Sequence, residues 1–433
     1  MRVLLTGASG FIGGAVAAAL RRHGHTVVRV LRNPPADADD VVRADFAQVP
    51  SRAWWQPRLA GIDAVVNAVG ILREQRGQAF RALHTEAPVE LFHACAAAGV
   101  GAVVQVSALG ADAHGHTAYH LSKKAADDVL RSLPLRAAIV QPSLVYGPGG
   151  SSATLFNKMA VAPLLPLPAG GRMLVQPVHV VDVAAGIVAL LEAPPAGVQT
   201  FAFAGPQPQP LRDYLAELRA GMGEPGPLRV LPVPGALFRA GATLAGHLPG
   251  SMLDRDTADM LLAGNATAAN ALPGVLGRAP RGVPAFIPAQ AAEPARRQAV
   301  LDLWLPVLRV ALALLWLWTG CVSLGLYPVE DSYALLARVG LHGGLASVAL
   351  YGAALLDLAL GVLTLAAPAP ARWRRLVWLA QLALIAGYTL LITLFLPEHW
   401  LHPYGPISKN VPIVAAIALL WALEPPPRRT GAA

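Results

Sequence analysis

Three polar side chains in the first third of the chain have types and a spacing suited to proton transfer. Tyr119 and Lys123 form a Tyr-x-x-x-Lys pair, and on a helix this spacing puts both side chains on one face, a turn apart. A lysine charge favours the phenolate, so we expect it to lower the pKa of Tyr119 and to allow proton exchange with a carbonyl or alcohol. Ser107, at the end of a strand-like run, is predicted to orient that oxygen. The same spacing also suits an ordinary solvated helix face.

A glycine-rich segment near the N-terminus predicts a dinucleotide site. Gly7-Ala8-Ser9-Gly10-Phe11-Ile12-Gly13 follows a strand-like run and precedes an alanine-rich helical run. Glycine permits a tight turn, close approach to a pyrophosphate and close helix packing, and the helix N-terminus supplies N–H donors. The alternative is an ordinary glycine-rich turn.

The residues after the second strand favour NADP(H) over NAD(H). An acidic side chain there would bind the ribose 2′-hydroxyl and repel a 2′-phosphate, but the stretch reads Val30-Leu31-Arg32-Asn33. The guanidinium of Arg32 suits a phosphate, although it could equally be a solvated loop cation. Asp45, after the third strand, is predicted either to bind the adenine amino group or to cap a helix.

Alternating strands and helices predict how these residues are positioned. Up to about Pro148, short β-branched runs alternate with alanine-rich runs, a pattern typical of a doubly wound, parallel α/β sheet of the Rossmann type. From about 149 to 278 the pattern becomes irregular, which indicates a small second lobe. We therefore predict a nucleotide-binding domain over 1–278, a proline- and alanine-rich linker over 279–299 and a membrane domain over 300–425.

The C-terminal part predicts an all-α bundle of four transmembrane helices. Apolar runs cover about 304–326, 345–367, 376–396 and 407–423, each about long enough to cross a bilayer. Arginines at 296–297, 372–375 and 428–429 fall on one side of this arrangement. The positive-inside rule therefore predicts an integral protein of an inner or plasma membrane of the bacterial type, with the N-terminal domain and the C-terminus in the cytoplasm.

Composition agrees with a chain of two parts and argues against two other classes. The chain is 55% hydrophobic and only 14% charged, too apolar for a purely soluble protein. The net charge of +8 comes from scattered or membrane-flanking arginines, with no basic-aromatic stripe, so we predict no nucleic-acid partner. Cys95 and Cys321 fall in different domains, so we expect neither a disulfide nor a metal site. No secretory leader pattern precedes the first strand.

One acidic residue lies inside a predicted span. Asp357 is costly in lipid unless it faces the bundle, is paired or is protonated, and Arg309 on the neighbouring span is the predicted partner. Two alternatives stay open. Arg309 could instead extend to the membrane surface, and a buried pair could serve only to fix helix register.

The N-terminal part, about residues 1–280, resembles the extended and atypical branch of the short-chain dehydrogenase/reductase superfamily. Within that branch it is similar to the group containing the NAD(P)H-binding accessory subunit of respiratory complex I. The resemblance implies catalytic roles for Ser107, Tyr119 and Lys123. Thr85 departs from the usual asparagine, and Gln141 from the usual arginine. The motifs behind the resemblance are Thr6 to Gly13, Asn67-Ala68-Val69-Gly70, Val106-Ser107-Ala108, Tyr119 with Lys123, and Gln141 to Pro148.

These inferences together define one predicted nicotinamide site. It is predicted to contain no metal. Its expected cofactor contacts are Gly7, Ser9, Gly10, Phe11, Ile12, Gly13, Arg32, Asp45, Asn67, Tyr119, Lys123 and Pro142.

The membrane part resembles the DoxX-like four-helix family. The residues that carry this resemblance are Arg309, Trp318-Thr319-Gly320, Ser332 to Leu336, Asp357, Gly361 and Gly405 to Pro412. It implies association with a membrane redox complex, with quinone or thiol chemistry as a theme.

Three functions follow from these patterns. The first is a membrane-tethered NAD(P)H-dependent oxidoreductase acting on a carbonyl, an alcohol or a lipophilic acceptor such as a quinone. The second is a non-catalytic nucleotide-binding structural or sensor protein of a membrane complex. The third is an epimerase or dehydratase acting on lipid-linked sugars, which would return its hydride and consume no NADPH.

Overall fold

The computed structural model describes residues 1–34, 40–75, 77–246, 254–366 and 371–424. The chain divides into two compact units, Met1–Val300 and Leu301–Ala433. Arg428 and Arg429, the last basic pair used to predict topology, lie outside the described residues.

The first unit is built on a parallel sheet, as predicted. Among the described residues, seven strands pair in the order β11-β6-β5-β4-β1-β2-β3, all parallel. The chain reverses its direction of travel across the sheet between β1 and β4. The strands of this sheet are β1 (Arg2–Thr6), β2 (Thr26–Leu31), β3 (Val41–Arg43), β4 (Ala64–Asn67), β5 (Ala102–Val106), β6 (Ala137–Pro142) and β11 (Val198–Phe203).

Helices cover both faces of this sheet, and each face has its own apolar core. Alternate strand residues point to opposite faces, so Val3 and Leu5 pack in one core and Leu4 in the other. Helices α1 and α6 cover the first face, and α3 and α4 cover the second. The helices up to this point are α1 (Phe11–Arg22), α2 (Arg52–Trp55), α3 (Ala87–Ala98), α4 (Ala118–Arg131), α5 (Ser151–Val161) and α6 (Val180–Glu192).

The second lobe is irregular, but its predicted range of 149–278 also contains α6 and β11, which belong to the main sheet and the layer covering it. Its short strands form two-stranded pairs rather than a second large sheet. The strands are β7 (Val145–Tyr146), β8 (Leu165–Pro168), β9 (Leu174–Val175), β10 (Val178–His179), β12 (Gln209–Pro210) and β13 (Val230–Val233), and the helices are α7 (Leu211–Gly221), α8 (Gly235–Ala245), α9 (Arg255–Ala263) and α10 (Leu272–Leu276).

A buried ion cluster ties the end of this lobe to the sheet domain. Asp182 is fully buried at the start of α6 and accepts hydrogen bonds from the side chains of Arg278, at 2.7 Å, and Arg281, at 2.5 Å. It also accepts the backbone N–H of Arg281 at 2.8 Å. Burial alone would raise the pKa of Asp182, but these bonds and the two positive charges lower it.

The second unit is helical and apolar. Three helical segments are long and apolar enough to cross a membrane, namely Ala289–Leu326, Gly343–Ala366 and Ala371–Phe395, and a shorter apolar helix covers Asn410–Ala422. Residues 289–299, in the predicted linker, form the first turns of the first segment. The helices are α11 (Ala289–Cys321), α12 (Val329–Arg338), α13 (Gly343–Ala366), α14 (Ala371–Phe395) and α15 (Asn410–Ala422).

Small residues and buried polar side chains hold the second unit together. A Cβ on Gly320 would lie 2.8 Å from the Ala354 carbonyl oxygen, so α11 and α13 approach closely. The Trp316 indole donates to Gln381 at 2.8 Å, and Gln381 donates to the Thr364 hydroxyl at 3.0 Å. This chain of bonds joins three helices.

The predicted pairing of Arg309 with Asp357 is wrong. Arg309 instead reaches Glu424, beyond the end of α15, at 3.4 Å, and Arg374 reaches the same carboxylate at 3.3 Å. Arg309 lies about three turns before Gly320, the residue of α11 that packs near the level of Asp357. The side chain therefore meets the carboxylate at its own end of the bundle.

Candidate functional site: a nicotinamide site at the edge of the parallel sheet

The candidate site lies where the strands of the parallel sheet end. Gly7 follows β1, Ser107 follows β5, and Pro142 is the last residue of β6. The carboxyl ends of parallel strands share one edge, and the strand order reverses between β1 and β4 at this edge. Open α/β sheets bind ligands at such a reversal.

The glycines of the turn after β1 are required by its geometry. Gly7 has a φ of +67°, and a Cβ there would lie 2.5 Å from the Ala68 carbonyl oxygen. A Cβ on Gly13 would lie 2.1 Å from the Gly7 carbonyl oxygen. Ser9 and Gly10 are exposed at the N-terminus of α1, whose first turn contains no acidic residue and has no side-chain cap. This leaves backbone N–H groups for an anion.

Phe11 and Ile12 begin α1 and are partly buried. The ring of Phe11 lies against the loop after β7, where a Cβ on Gly150 would be 2.8 Å from the ring. The glycine turn and this loop therefore border the same space.

Lys123 is held rigidly at the strand ends. Its ammonium group is buried and donates to the carbonyl oxygens of Val69 and Val106, each at 3.1 Å. These carbonyls follow β4 and end β5. Burial lowers the pKa of Lys123 to about 8, although the nearby Asp127 charge acts in the opposite direction.

Tyr119 lies one turn before Lys123 on α4, within a group of rings. Its ring centroid is 6.0 Å from Phe80, 5.6 Å from His84 and 5.3 Å from His120. The expectation that lysine lowers the pKa of Tyr119 is wrong for this arrangement, because burial raises it to about 12. Tyr119 is therefore a neutral phenol at neutral pH, and its available role is proton donor.

Ser107 binds an acidic residue that the sequence patterns did not reveal. Its hydroxyl is buried and donates to Asp127 Oδ2 at 2.5 Å. The other oxygen, Oδ1, is buried and has no hydrogen-bond partner among the described residues. Burial raises the pKa of Asp127 to about 6, although the Ser107 hydrogen bond and the Lys123 charge both lower it.

His84 is a second residue that sequence reasoning missed. Its Nε2 accepts the backbone N–H of Ile71 at 3.0 Å, and its Nδ1 lies 2.9 Å from the Ser122 hydroxyl. Burial and the nearby Lys123 charge lower the pKa of His84 to about 2, so the ring is neutral. A neutral ring with both nitrogens engaged positions α4 rather than titrating. No spacing in the sequence links His84 to Tyr119, because folding alone brings them together.

The two cofactor-selecting candidates lie in different environments. Arg32 is exposed directly after β2 and has no hydrogen bond or ion pair with the described residues. Asp45 accepts the backbone N–H of Ala47 at 3.0 Å and caps a short helical turn. The structure therefore agrees with the capping alternative for Asp45, whereas the Arg32 side chain makes no bond to the described residues.

Asn67 lies inside the sheet. It accepts from the Thr6 hydroxyl at 2.5 Å and donates to Gln105 at 2.7 Å, so a fully buried polar ladder crosses β1, β4 and β5. The Asn67 side-chain amide is therefore occupied within the protein. Pro142, also buried, lies at the end of β6, and its carbonyl accepts from the N–H of Leu109 at 3.0 Å.

The two departures from the superfamily pattern both make structural bonds. The Thr85 hydroxyl donates to the Ser122 carbonyl at 2.9 Å and so ties the helical turn that precedes α3 to α4. Gln141 is buried and donates to the Ala111 carbonyl at 3.2 Å.

The residues at this edge fit a nicotinamide dinucleotide. The glycine turn leaves space where any Cβ would collide, and the start of α1 offers N–H donors without a competing carboxylate. Lys123 and Tyr119 lie beyond it along the same edge. No group of three or more metal-ligating side chains occurs among the described residues.

Comparison with known families agrees with the two units. Residues 3–203 match the NAD dependent epimerase/dehydratase family, and residues 313–418 match the DoxX-like family. The short-chain dehydrogenase/reductase and DoxX-like resemblances are thereby confirmed.

Two curated relatives match the N-terminal unit. A ceramide reductase of Caulobacter vibrioides is 30% identical over 204 residues, covering 45% of this chain and 62% of the relative. The alpha subcomplex subunit 9 of mitochondrial NADH dehydrogenase from Mus musculus is 29% identical over 214 residues, covering 46% and 55%. The chain thus spans less than two thirds of the length of each.

A solved structure agrees with the fold. The human epimerase family protein SDR39U1 with NADPH superposes with a TM-score of 0.50 at 20% identity, covering 69% of this chain and 99% of that protein. The matches therefore agree with the division into two units: the first resembles the NAD dependent epimerase/dehydratase family over residues 3–203, and the second resembles the DoxX-like family over residues 313–418.

Proposed function

We propose that this protein is a membrane-tethered NAD(P)H-dependent reductase whose substrate is a lipophilic carbonyl compound or quinone. The observation that carries the proposal is Tyr119, a neutral phenol on the same helix face as the buried Lys123 and at the same sheet edge as the glycine turn. The relatives named as a reductase and as a subunit of an NADH dehydrogenase support this class of chemistry.

The bound nicotinamide would supply the hydride, and the protein's own residues would manage the proton. Tyr119, with its pKa raised by burial, donates the phenolic proton to the substrate oxygen. Lys123, fixed by two carbonyls, places a positive charge that stabilises the phenolate left behind. Ser107 can orient the substrate oxygen once its hydroxyl turns from Asp127.

The test is turnover by the full-length protein in lipid nanodiscs. NADPH consumption is followed with a panel of long-chain ketones, aldehydes and quinones. We expect Tyr119→Phe to lower kcat by about 10²–10⁴-fold, the range for loss of a general acid, with nucleotide affinity unchanged. The matched control is Tyr214→Phe, which removes a buried hydroxyl that has no hydrogen-bond partner.

Either of two outcomes would contradict the reductase. If Tyr119→Phe leaves cellular function intact and the wild type turns over none of the panel, a nucleotide-binding scaffold is the better account. If a substrate is isomerised and no NADPH is consumed, the protein is an epimerase.

We propose further that the cofactor is NADP(H). Arg32 is exposed at the end of β2 without a partner, at the position where a 2′-phosphate would lie. NADPH and NADH are titrated separately into the full-length protein, with Arg32→Ala beside it. We expect Arg32→Ala to weaken NADPH binding and spare NADH, whereas Arg21→Ala, near the far end of α1, changes neither. Equal affinities in the wild type would contradict the preference.

The membrane topology is also a proposal. We infer four spans, with the short helix α15 as the fourth, and both the N-terminal unit and the C-terminus in the cytoplasm. The arginine clusters at 296–297 and 372–375 support this orientation. Single cysteines are placed at Arg375, Lys409 and Gly431 in a Cys95→Ala, Cys321→Ser background and labelled with an impermeant thiol reagent in right-side-out and inverted vesicles. We expect Arg375 and Gly431 to react from one side and Lys409 from the other, and labelling of Gly431 from the same side as Lys409 would contradict four spans.

A further inference from the structure

Asp357 is a buried carboxyl group without a compensating charge. It lies near the middle of α13, is 2% exposed, and its Oδ1 has no hydrogen-bond partner in the part of the chain that the structure describes. None of the described cations pairs with it, because Arg309 and Arg374 are both committed to Glu424. An ionised carboxylate in this setting would carry the full cost of desolvation.

The helices packed around Asp357 offer it no cation. On the α11 side, the residues closest to α13 are apolar or glycine, as shown by Gly361 against Leu317 and by Gly320 against Ala354. On the α14 side, the titratable group that interacts electrostatically with Asp357 is Tyr388. Helix α12 meets α13 through Tyr333 and Ser347, nearer the start of α13.

The register of α13 against α14 explains why Asp357 faces Tyr388. The hydrogen bond between Gln381 and Thr364 fixes one level of the antiparallel pair. Asp357 comes two turns before Thr364, and Tyr388 two turns after Gln381, so both pairs lie on the same helix faces. The interior of the bundle therefore contains two polar layers. In one, Gln381 is hydrogen-bonded to Thr364; in the other, Asp357 Oδ1 has no hydrogen-bond partner among the described residues.

We infer that Asp357 is a proton-binding site inside the membrane domain. The ligand is a proton taken from water, which converts the carboxylate to the neutral acid and supplies an O–H donor inside the bundle. Loss of that proton places an unpaired charge between α13 and α14. The protonation state of Asp357 is thereby coupled to the packing of these two helices.

The experiment is labelling of the full-length protein in nanodiscs with dicyclohexylcarbodiimide, which reacts with protonated carboxyl groups in apolar surroundings. Glu424 is the internal control, since it is ion-paired with Arg309 and Arg374. Mass spectrometry of peptides is expected to find the adduct on Asp357 and at least about tenfold less on Glu424. Labelling of Asp357 is expected to fall about tenfold for each pH unit above the midpoint of its titration, as for any single acid.

Two variants keep the inference testable if the reagent fails to reach the site. Asp357→Asn imitates the neutral acid and is expected to leave the unfolding midpoint at neutral pH unchanged, whereas Glu424→Gln lowers it. Labelling of Glu424 as strong as that of Asp357 would overturn the inference, as would an Asp357→Asn variant destabilised as much as Glu424→Gln.

Discussion

Helix α4 carries the same lysine–aspartate pair twice, on two faces. Lys123 and Asp127 lie on the inner face, and Lys124 and Asp128 lie one position further on the outer face. The outer pair forms a solvent-exposed ion pair, joined by Arg131. In the inner pair, burial lowers the pKa of Lys123 to about 8 and raises that of Asp127 to about 6.

The difference teaches that environment, rather than residue type or spacing, shifts the pKa values on the inner face. The inner lysine is bonded to backbone carbonyls rather than to its aspartate, and one oxygen of that aspartate is left without a partner. Titratable groups with perturbed pKa values concentrate at functional sites. The outer pair is ordinary surface chemistry.

The largest expected contrast is in turnover. Lys123→Met removes the inner charge at nearly constant volume and is expected to lower kcat by about 10²-fold or more, since the phenolate of Tyr119 loses its stabilising charge. Lys124→Met, the adjacent change on the outer face, is expected to leave kcat unchanged. Both are measured as NADPH consumption with an acceptor that the wild type reduces. Equal losses in the two variants would remove the distinction between the faces.

The next contrast concerns stability and compares Asp182, a buried acid paired with two arginines, with Asp213, an exposed one. Asp182→Ala leaves Arg278, Arg281 and a backbone N–H without their acceptor. We expect the free energy of unfolding to fall by about 2–4 kcal/mol, less than for a fully buried ion pair because both arginines are partly exposed. Hydrogen exchange of α6 peptides in the full-length protein measures it. Asp213→Ala, in an exposed pair with Arg212, is the control and is expected to change little.

How far the sequence predicts this structure depends on whether the information is local. The glycine turn, the strands and the Tyr119–Lys123 face follow from short-range patterns, and the parallel sheet is as expected. Asp127 and His84 could not be assigned from the sequence, because their burial and partners depend on β5 and α4 meeting in space. The partner of Arg309 was mistaken for the same reason, since Glu424 is distant in sequence.

A smaller effect distinguishes Asp127 from Asp182 by pH. The folded protein holds the Asp127 proton more tightly than the unfolded chain does, so this residue makes stability fall as pH rises from about 4 to about 6. Asp182 acts in the opposite sense, because its lowered pKa gives stability that is lost as pH falls through the folded value. Asp127→Asn is expected to raise the free energy of unfolding above pH 6 by up to about 3 kcal/mol, since each pKa unit corresponds to about 1.4 kcal/mol, and to flatten that slope. Unfolding midpoints across this pH range test it, and an unchanged slope would contradict it.

The smallest effect is expected on the outer face. Asp128→Ala removes the exposed ion pairs with Lys124 and Arg131 and is expected to cost no more than about 0.5 kcal/mol, and less in high salt. Unfolding at low and high salt measures it. A loss as large as that of Asp182→Ala would mean that the outer face is not simple surface.

The central claim is that the N-terminal unit transfers hydride from a nicotinamide to an acceptor. The most direct measurement supplies NADPH deuterated at the transferable position to the full-length protein in nanodiscs with the acceptor panel, and follows deuterium by mass spectrometry. We expect deuterium on the reduced carbon of a carbonyl product, or NADPH loss matched by quinol formation, and at least about 10²-fold slower transfer with Tyr119→Phe. Tight NADPH binding with no transfer to any acceptor, or transfer unaffected by Tyr119→Phe, would contradict it.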